Sequence, residues 1–212
     1  MAGSTTRKTR QPNTKKLALF NFLLPSVVRS VDCGFQYVFM IGYDVGDPFY
    51  DNQQGMAEVT EWFEKHVTAP LANSGISMKL ATVAVHNTIK KPGPVFNAMA
   101  REIYTNYEAD YYYRVNDDTE MLTNWPSVFV GALRTLGAPY GVVGPFCAQG
   151  NTDILTHDFV HKTHMDIFEM NYYPPELPDW WMDVCKTKTS AVSICIMVLL
   201  ACLLFKYIVI YI

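Results

Sequence analysis

The sequence predicts an α/β fold: a mostly parallel central sheet flanked by helices, followed by a long apolar helix at the C-terminus. Three observations predict it. Strand-like and helix-like stretches alternate from Leu17 onward. The clearest strand-like stretches are apolar throughout, as strands covered on both faces are. An apolar run interrupted by the single charge of Lys206 then closes the 212 residues. Half of the residues are hydrophobic and 14% aromatic, enough to build a sizeable core.

Residues 1–16 are polar and basic, with Arg7, Lys8, Arg10, Lys15 and Lys16, and read as a disordered arm. The run "LALFNFLLPSVV", Leu17 to Val28, follows basic residues as a signal peptide does. Asn21 and Pro25 interrupt it, however, and no small-residue cleavage site follows. Its twelve residues are too few to cross a bilayer, which takes about twenty, and it reads as a buried strand ending at Pro25. A second buried strand, Gln36 to Ile41, opens at Gly42 into a loop rich in Gly, Asp and Pro.

From Tyr50 to Ala69 the apolar positions Met56, Val59, Trp62, Phe63 and Val67 recur at helical steps, and Asn73-Ser74-Gly75 stops them. "ISMKLATVAV" alternates as a strand does. A loop and a helix from about Pro94 lead to a strand over Ala109–Val115. The order β-β-α-β-loop-α-β is that of a parallel sheet. Beyond it, Trp125 to Leu136 reads as a helix, "YGVVGPF" as a short strand, and Thr156 to Phe168 as a helix or a strand-helix turn. "YYPPELPDWWMD" is a proline-punctuated loop.

The totals exclude some classes. A formal charge of −3 argues against a nucleic-acid-binding surface. The five cysteines show no C-x-x-C spacing and no disulfide framework; Cys195 and Cys202 read as small hydrophobes in an apolar run. No N-x-[ST] sequon occurs.

The tail is of another character. Ala191 to Phe205 carries no charge, and after Lys206 the chain closes on "YIVIYI". This is long enough to cross the ~30 Å hydrocarbon layer, with Lys206 snorkelling to an interface. Residues 185–212 thus read as a linker and a transmembrane helix, and residues 17–184 as the main domain. Lys186 and Lys188 before the helix favour a cytosolic main domain.

The chemistry concentrates in "DYYYRVNDDTEMLT", Asp110 to Thr123, where an aromatic strand runs into Asn116-Asp117-Asp118. Parallel α/β sheets hold ligands outside the carboxyl ends of their strands. Grouped carboxylates there repel one another unless a cation intervenes. Mg²⁺ or Mn²⁺ favours such oxygen ligands and binds one or two carboxylates together with substrate phosphates. The competing reading is a surface turn, for which Asn-Asp-Asp is ordinary.

"YYYRVNDDTEML" resembles the DxD region of GT-A-fold, nucleotide-sugar-dependent glycosyltransferases, in the form seen in beta-1,3-galactosyltransferases and Fringe-like enzymes. "KPGPVFNAMAREIYTNYEADYYY" is similar to the segment that precedes the DxD, "VVGPFCAQGNTDILTHDFV" to the acceptor-side segment, and "DWWMD" to the later acidic motif.

The resemblance implies transfer of a sugar from a nucleotide-diphosphate donor to the hydroxyl of a glycan or other acceptor. It implies Asp118 and Asp117 as ligands to Mn²⁺ or Mg²⁺, with Asn116, in place of an acid, meeting the metal or the sugar. Tyr43 would stack on the base, Asp44 or Asp47 would meet base or ribose, and Arg114 would contact phosphate or serve as an ion-pair partner. Asp183, or alternatively Asp179, would be the general base, with Trp180, Trp181, Gly150 and His161 on the acceptor side. It also implies an endoplasmic reticulum or Golgi membrane and a luminal domain, against the lysine count. Where such enzymes continue past the acidic motif, this chain turns into "VCKTKTSAVSICIMV". A catalytically inactive, membrane-anchored interaction protein of the same fold therefore stands as the alternative. A third reading is a zinc-dependent hydrolase: on one helix His157, His161 and His164 fall on one face, and two of them could share an ion.

Overall fold

The strand Gln36–Asp44 organises the first half of the molecule. In the computed structural model, residues 1–137, 139–149, 155–173 and 209–211 are described. They fall into two compact units, one of Met1–Lys90 with Asn116–Ser127, the other of Lys91–Val115 with Val128–Ile212.

In the first unit β1 (Ala2–Gly3) and β2 (Gln36–Asp44) run parallel, with Ala2 opposite Ile41 and Gly3 opposite Gly42. On its other side β2 pairs in parallel along its whole length with β3 (Ser77–Val85), from Gln36 opposite Ser77 to Asp44 opposite Val85. The central strand is the one whose sequence does not alternate, because both of its faces are covered. Met40 and Ile41 are fully buried, each contributing about 1.5–3 kcal/mol. On β3 Met78 and Ala81 are buried while Ser77, Lys79 and Thr82 are exposed.

Helix α2 (Gln53–Phe63) starts where Asn52 accepts hydrogen bonds from Gln54 N and Gly55 N. It buries Val59 and Phe63, widens over Glu64–Thr68, where Ala69 N reaches Glu64 O, and continues as α3 (Ala69–Asn73). The predicted helix over Tyr50–Ala69 is therefore present, with its start at Gln53.

Two expectations are corrected here. The run Leu17–Val28 is helical, not a strand: a wide turn over Leu19–Leu23 leads into α1 (Leu24–Ser30). A short apolar run does not distinguish strand from helix by periodicity. Its interruptions fit a helix, since Asn21 is exposed and Pro25 lies in the first turn of α1, where a missing N–H matters least. Residues 1–16 do not form a disordered arm. Ser4, Thr6 and Thr14 are buried, and Thr14 holds Glu58 Oε1 through its N (2.8 Å) and its Oγ1 (2.7 Å). Short hydroxyl side chains are buried here by hydrogen bonding, which a count of apolar residues overlooks.

The second unit has a mixed sheet. β6 (Asp158–His161) lies antiparallel to both β4 (Tyr111–Asn116) and β5 (Val142–Gly144), and β5 pairs in parallel with β7 (Val209–Tyr211). Helices α4 (Pro92–Asn106), α5 (Pro126–Thr135) and α6 (Thr163–Ile167) complete the elements of this part of the chain. Within the first unit, which reaches to Ser127 in the first turn of α5, the side chain of Asp32 accepts from Ser127 N (2.9 Å) and Ser127 Oγ (2.6 Å). Buried Asn97 of α4 exchanges two hydrogen bonds with the Tyr173 backbone, at 2.8 and 2.9 Å. A β-carbon at residue 144 would meet His157 O at 2.1 Å, so only glycine permits this approach of β5 to the segment before β6.

The α/β class thus holds, whereas the mostly parallel sheet does not: the sheet is mixed, with β6 antiparallel to both β4 and β5. No helix among the described residues is long and apolar enough to cross a membrane. The expected span over Ala191–Ile212 lies outside the described residues, except for Val209–Tyr211, which are in β7.

Candidate functional site

β1 pairs with β2 only near the carboxyl end of β2, Gly3 opposite Gly42, so the carboxyl ends of the two parallel strands lie at one edge of the first unit. Ser4 is the first residue past β1, held by its N to Gly42 O (3.0 Å). Its Oγ donates to Asp117 Oδ2 at 2.6 Å and lies 2.9 Å from the Tyr50 hydroxyl. Asp117 itself immediately follows β4, and the turn it begins is closed by Thr119 N on Asn116 O (3.2 Å). Asp117 and Asn116 are half-buried and Asp118 is exposed. Burial pushes the Asp117 carboxyl above the usual carboxylate range; the hydroxyl of Ser4 pulls the other way, and the charge of Asp118 adds to the rise.

A second carboxylate at this edge is treated oppositely. Asp47 is buried, and its Oδ1 accepts from Thr6 Oγ1 (2.7 Å), Phe49 N (3.0 Å) and Tyr50 N (3.0 Å) while its Oδ2 accepts from Thr6 N (2.9 Å). Burial alone would raise its pKa, but these donors outweigh it and hold the group below the ordinary value. Asp47 therefore fastens the residues after β1 to the loop after β2. Both of its oxygens are thus engaged within the chain itself.

The depressed pKa fixes a pH dependence. A lowered folded-state pKa gives stability that is present above the unfolded value and lost as pH falls through the folded one. Urea unfolding of Asp47→Asn between pH 7 and pH 2 is expected to show a lower plateau and a flatter acid limb than the native chain.

The other expected donor-side residues gather at the same edge. Tyr43 is 9% exposed and stacks on Tyr50 with ring centroids 5.8 Å apart. That ring face is therefore filled by a neighbour of its own chain. Asp44, at the end of β2, is paired with the guanidinium of Arg7. Gly55 lets α2 start close to the loop, since a β-carbon there would meet Phe49 O at 2.0 Å.

Arg114, in the second unit, is buried on β4 opposite Asp158, its Nε 2.5 Å from Asp158 Oδ1, with the rings of Phe96 and Tyr173 at 5.4 and 5.5 Å. Of its two expected roles, the packing ion pair is the one this geometry fits. The three histidines do not share a helix face: His157 precedes β6, His161 ends it and His164 lies in α6. Each has its own neighbour: Cys147 Sγ is 3.8 Å from His157 Nδ1, Thr163 Oγ1 is 2.8 Å from His161 Nδ1, and Tyr172 O is 2.8 Å from His164 Nε2. The single helix face on which the zinc reading placed them is therefore absent. Gly150, Asp179, Trp180, Trp181 and Asp183 lie outside the described residues.

Sequence reasoning missed Ser4, Thr6, Arg7 and Tyr50. Two strand residues flanked by polar ones carry no hydrophobic period, and the only signal was the run Ser4-Thr5-Thr6, short hydroxyl side chains suited to a strand end. Among the described residues no three His, Cys, Asp or Glu side chains converge as a complete metal cage. No protein-family model matches this chain, and no curated protein matches it.

Proposed function

We propose that this chain is a GT-A-like, metal-dependent glycosyltransferase that moves a sugar from a nucleotide-diphosphate donor to an acceptor hydroxyl. Asp117 carries the reading: a carboxylate half-buried beside a second one, at the carboxyl edge of a parallel sheet, with its pKa raised. Such an arrangement disfavours its own charge, and a shared cation removes that penalty. The resemblance of "YYYRVNDDTEML" to the DxD region names the same two acids.

Asp117 and Asp118 would hold Mn²⁺ or Mg²⁺. The ion, when bound, neutralises charge on the diphosphate leaving group. The chain's own residues do the rest. Asn116, Asp44 and Tyr43 border the edge along which the nucleotide is read to lie, and the Thr6–Asp47 bonds keep that edge in shape. Asp183, with Asp179 as alternative, takes the proton of the acceptor hydroxyl as its oxygen attacks the anomeric carbon. Trp180 and Trp181 offer flat apolar faces to a sugar ring. The apolar tail attaches the enzyme to an endoplasmic reticulum or Golgi membrane.

Calorimetric titration with uridine diphosphate tests the proposal. Binding is expected with Mn²⁺ present and absent without it, and Asp118→Ala is expected to weaken it at least about tenfold, as loss of a metal contact does. Failure of the native chain to bind under either condition would favour the inactive interaction protein.

A further inference from the structure

The hydroxyl pair behind Asp117 has a direction. A serine hydroxyl carries one hydrogen. Ser4 gives its hydrogen to Asp117 Oδ2 at 2.6 Å, so across the 2.9 Å contact with Tyr50 the tyrosine is the donor. The chain of donors therefore runs Tyr50 to Ser4 to Asp117 and ends on the carboxylate. Both members are buried, Ser4 at 6% and Tyr50 at 1% exposure.

Tyr50 is in turn fixed on three sides. Its N donates to Asp47 Oδ1 (3.0 Å), its ring stacks on Tyr43, and Phe49 meets it edge-on at 5.3 Å. Ser4 is fixed by the pairing of β1 with β2 and by its own N on Gly42 O. Asp117 Oδ2 is thus held by an element 113 residues away in sequence, and the carboxylate also takes a hydrogen bond from its own backbone N–H.

We propose that Ser4 and Tyr50 are positioning residues for Asp117: their donor chain occupies Oδ2, locks the carboxylate in one orientation and leaves Oδ1 to the divalent cation. The inference rests on the reading of Asp117 as a metal ligand. It adds what that reading lacks, the reason one of two flexible acids is held ready before the cation arrives. A carboxylate free to rotate would have to be ordered on binding, and the cost would come out of the affinity.

Manganese binding to the full chain, measured by the loss of the free Mn²⁺ paramagnetic-resonance signal in the presence of uridine diphosphate, tests it. Ser4→Ala is expected to weaken Mn²⁺ binding about 10–100-fold, as removal of an outer-shell partner does. Tyr50→Phe, which keeps the ring stack and removes only the hydroxyl, is expected to weaken it about tenfold or less. The double variant is expected to bind as Ser4→Ala does, because both changes break one chain. Ser4→Thr, which keeps a hydroxyl, is expected to restore most of the affinity. Native-like Mn²⁺ affinity in both Ser4→Ala and Tyr50→Phe, with Asp117→Asn losing it, would overturn the positioning role while the metal site stood. Absence of Mn²⁺ binding in the native chain would instead overturn the metal site and the positioning role together.

Discussion

Asp158→Ala is expected to destabilise the protein by about 3–5 kcal/mol, the cost of breaking a buried ion pair from one side. Asp158 is fully buried and Arg114 is 3% exposed. The carboxylate serves more than the guanidinium. Tyr173 donates its hydroxyl to Asp158 Oδ1 at 3.0 Å, and Tyr172 donates to the Asp158 carbonyl at 3.1 Å. Truncation therefore takes from a buried guanidinium the oxygen bonded to its Nε and leaves the Tyr173 hydroxyl without that acceptor, inside a sheet that cannot readily admit water. Replacing both charges together, Arg114→Met with Asp158→Leu, is expected to recover most of the loss, because an apolar pair carries no desolvation penalty. Urea unfolding of the two variants checks both statements; equal loss in single and double variants would show that packing volume, rather than charge, is what the pair supplies.

Asp117→Asn is expected to separate stability from function. The folded-state pKa of Asp117 is raised, so the fold binds its proton more tightly than the unfolded chain does. Stability then rises as pH falls from above the folded pKa toward the unfolded one, and at neutral pH the ionised group weighs against the fold. Asparagine keeps an oxygen for the Ser4 hydroxyl and removes the charge. The thermal midpoint at pH 7 is therefore expected to rise, while Mn²⁺-dependent binding of uridine diphosphate falls by more than about 100-fold, beyond what an outer-shell loss costs. A midpoint that drops would mean that the carboxylate is a structural anchor. Retained binding would remove Asp117 from the proposed metal site. The opposite balance at Asp47, whose donors favour its charge, makes it the control: its replacement is expected to lower stability at pH 7.

The sequence carried the elements whose environment is uniform along their length. β2 is apolar because both faces are covered, and α2 shows its buried stripe at helical steps; both were legible. So was the place of the acids, since an aromatic strand that stops at Asn116-Asp117-Asp118 ends in a turn whatever surrounds it. Leu17–Val28 was misread because a run apolar at most positions has no distinct period, and only the packing of Leu19, Leu23, Leu24 and Val27 into one core makes it a helix. The direction of β6 was not legible either. The residue types of the short strand Asp158–His161 read the same in both directions, and the choice depends on which strands the segment lies between.

By itself, then, the sequence determined an α/β chain with a pair of carboxylates at the end of an aromatic strand. Tertiary structure decided what each polar group meets: Ser4 for Asp117, Thr6 for Asp47, Asp158 for Arg114, across separations of 113, 41 and 44 residues. The reason is physical. Periodicity reports which face of an element is buried, whereas a buried carboxylate takes its charge state and orientation from the few donors within hydrogen-bond reach, and folding alone brings those donors there.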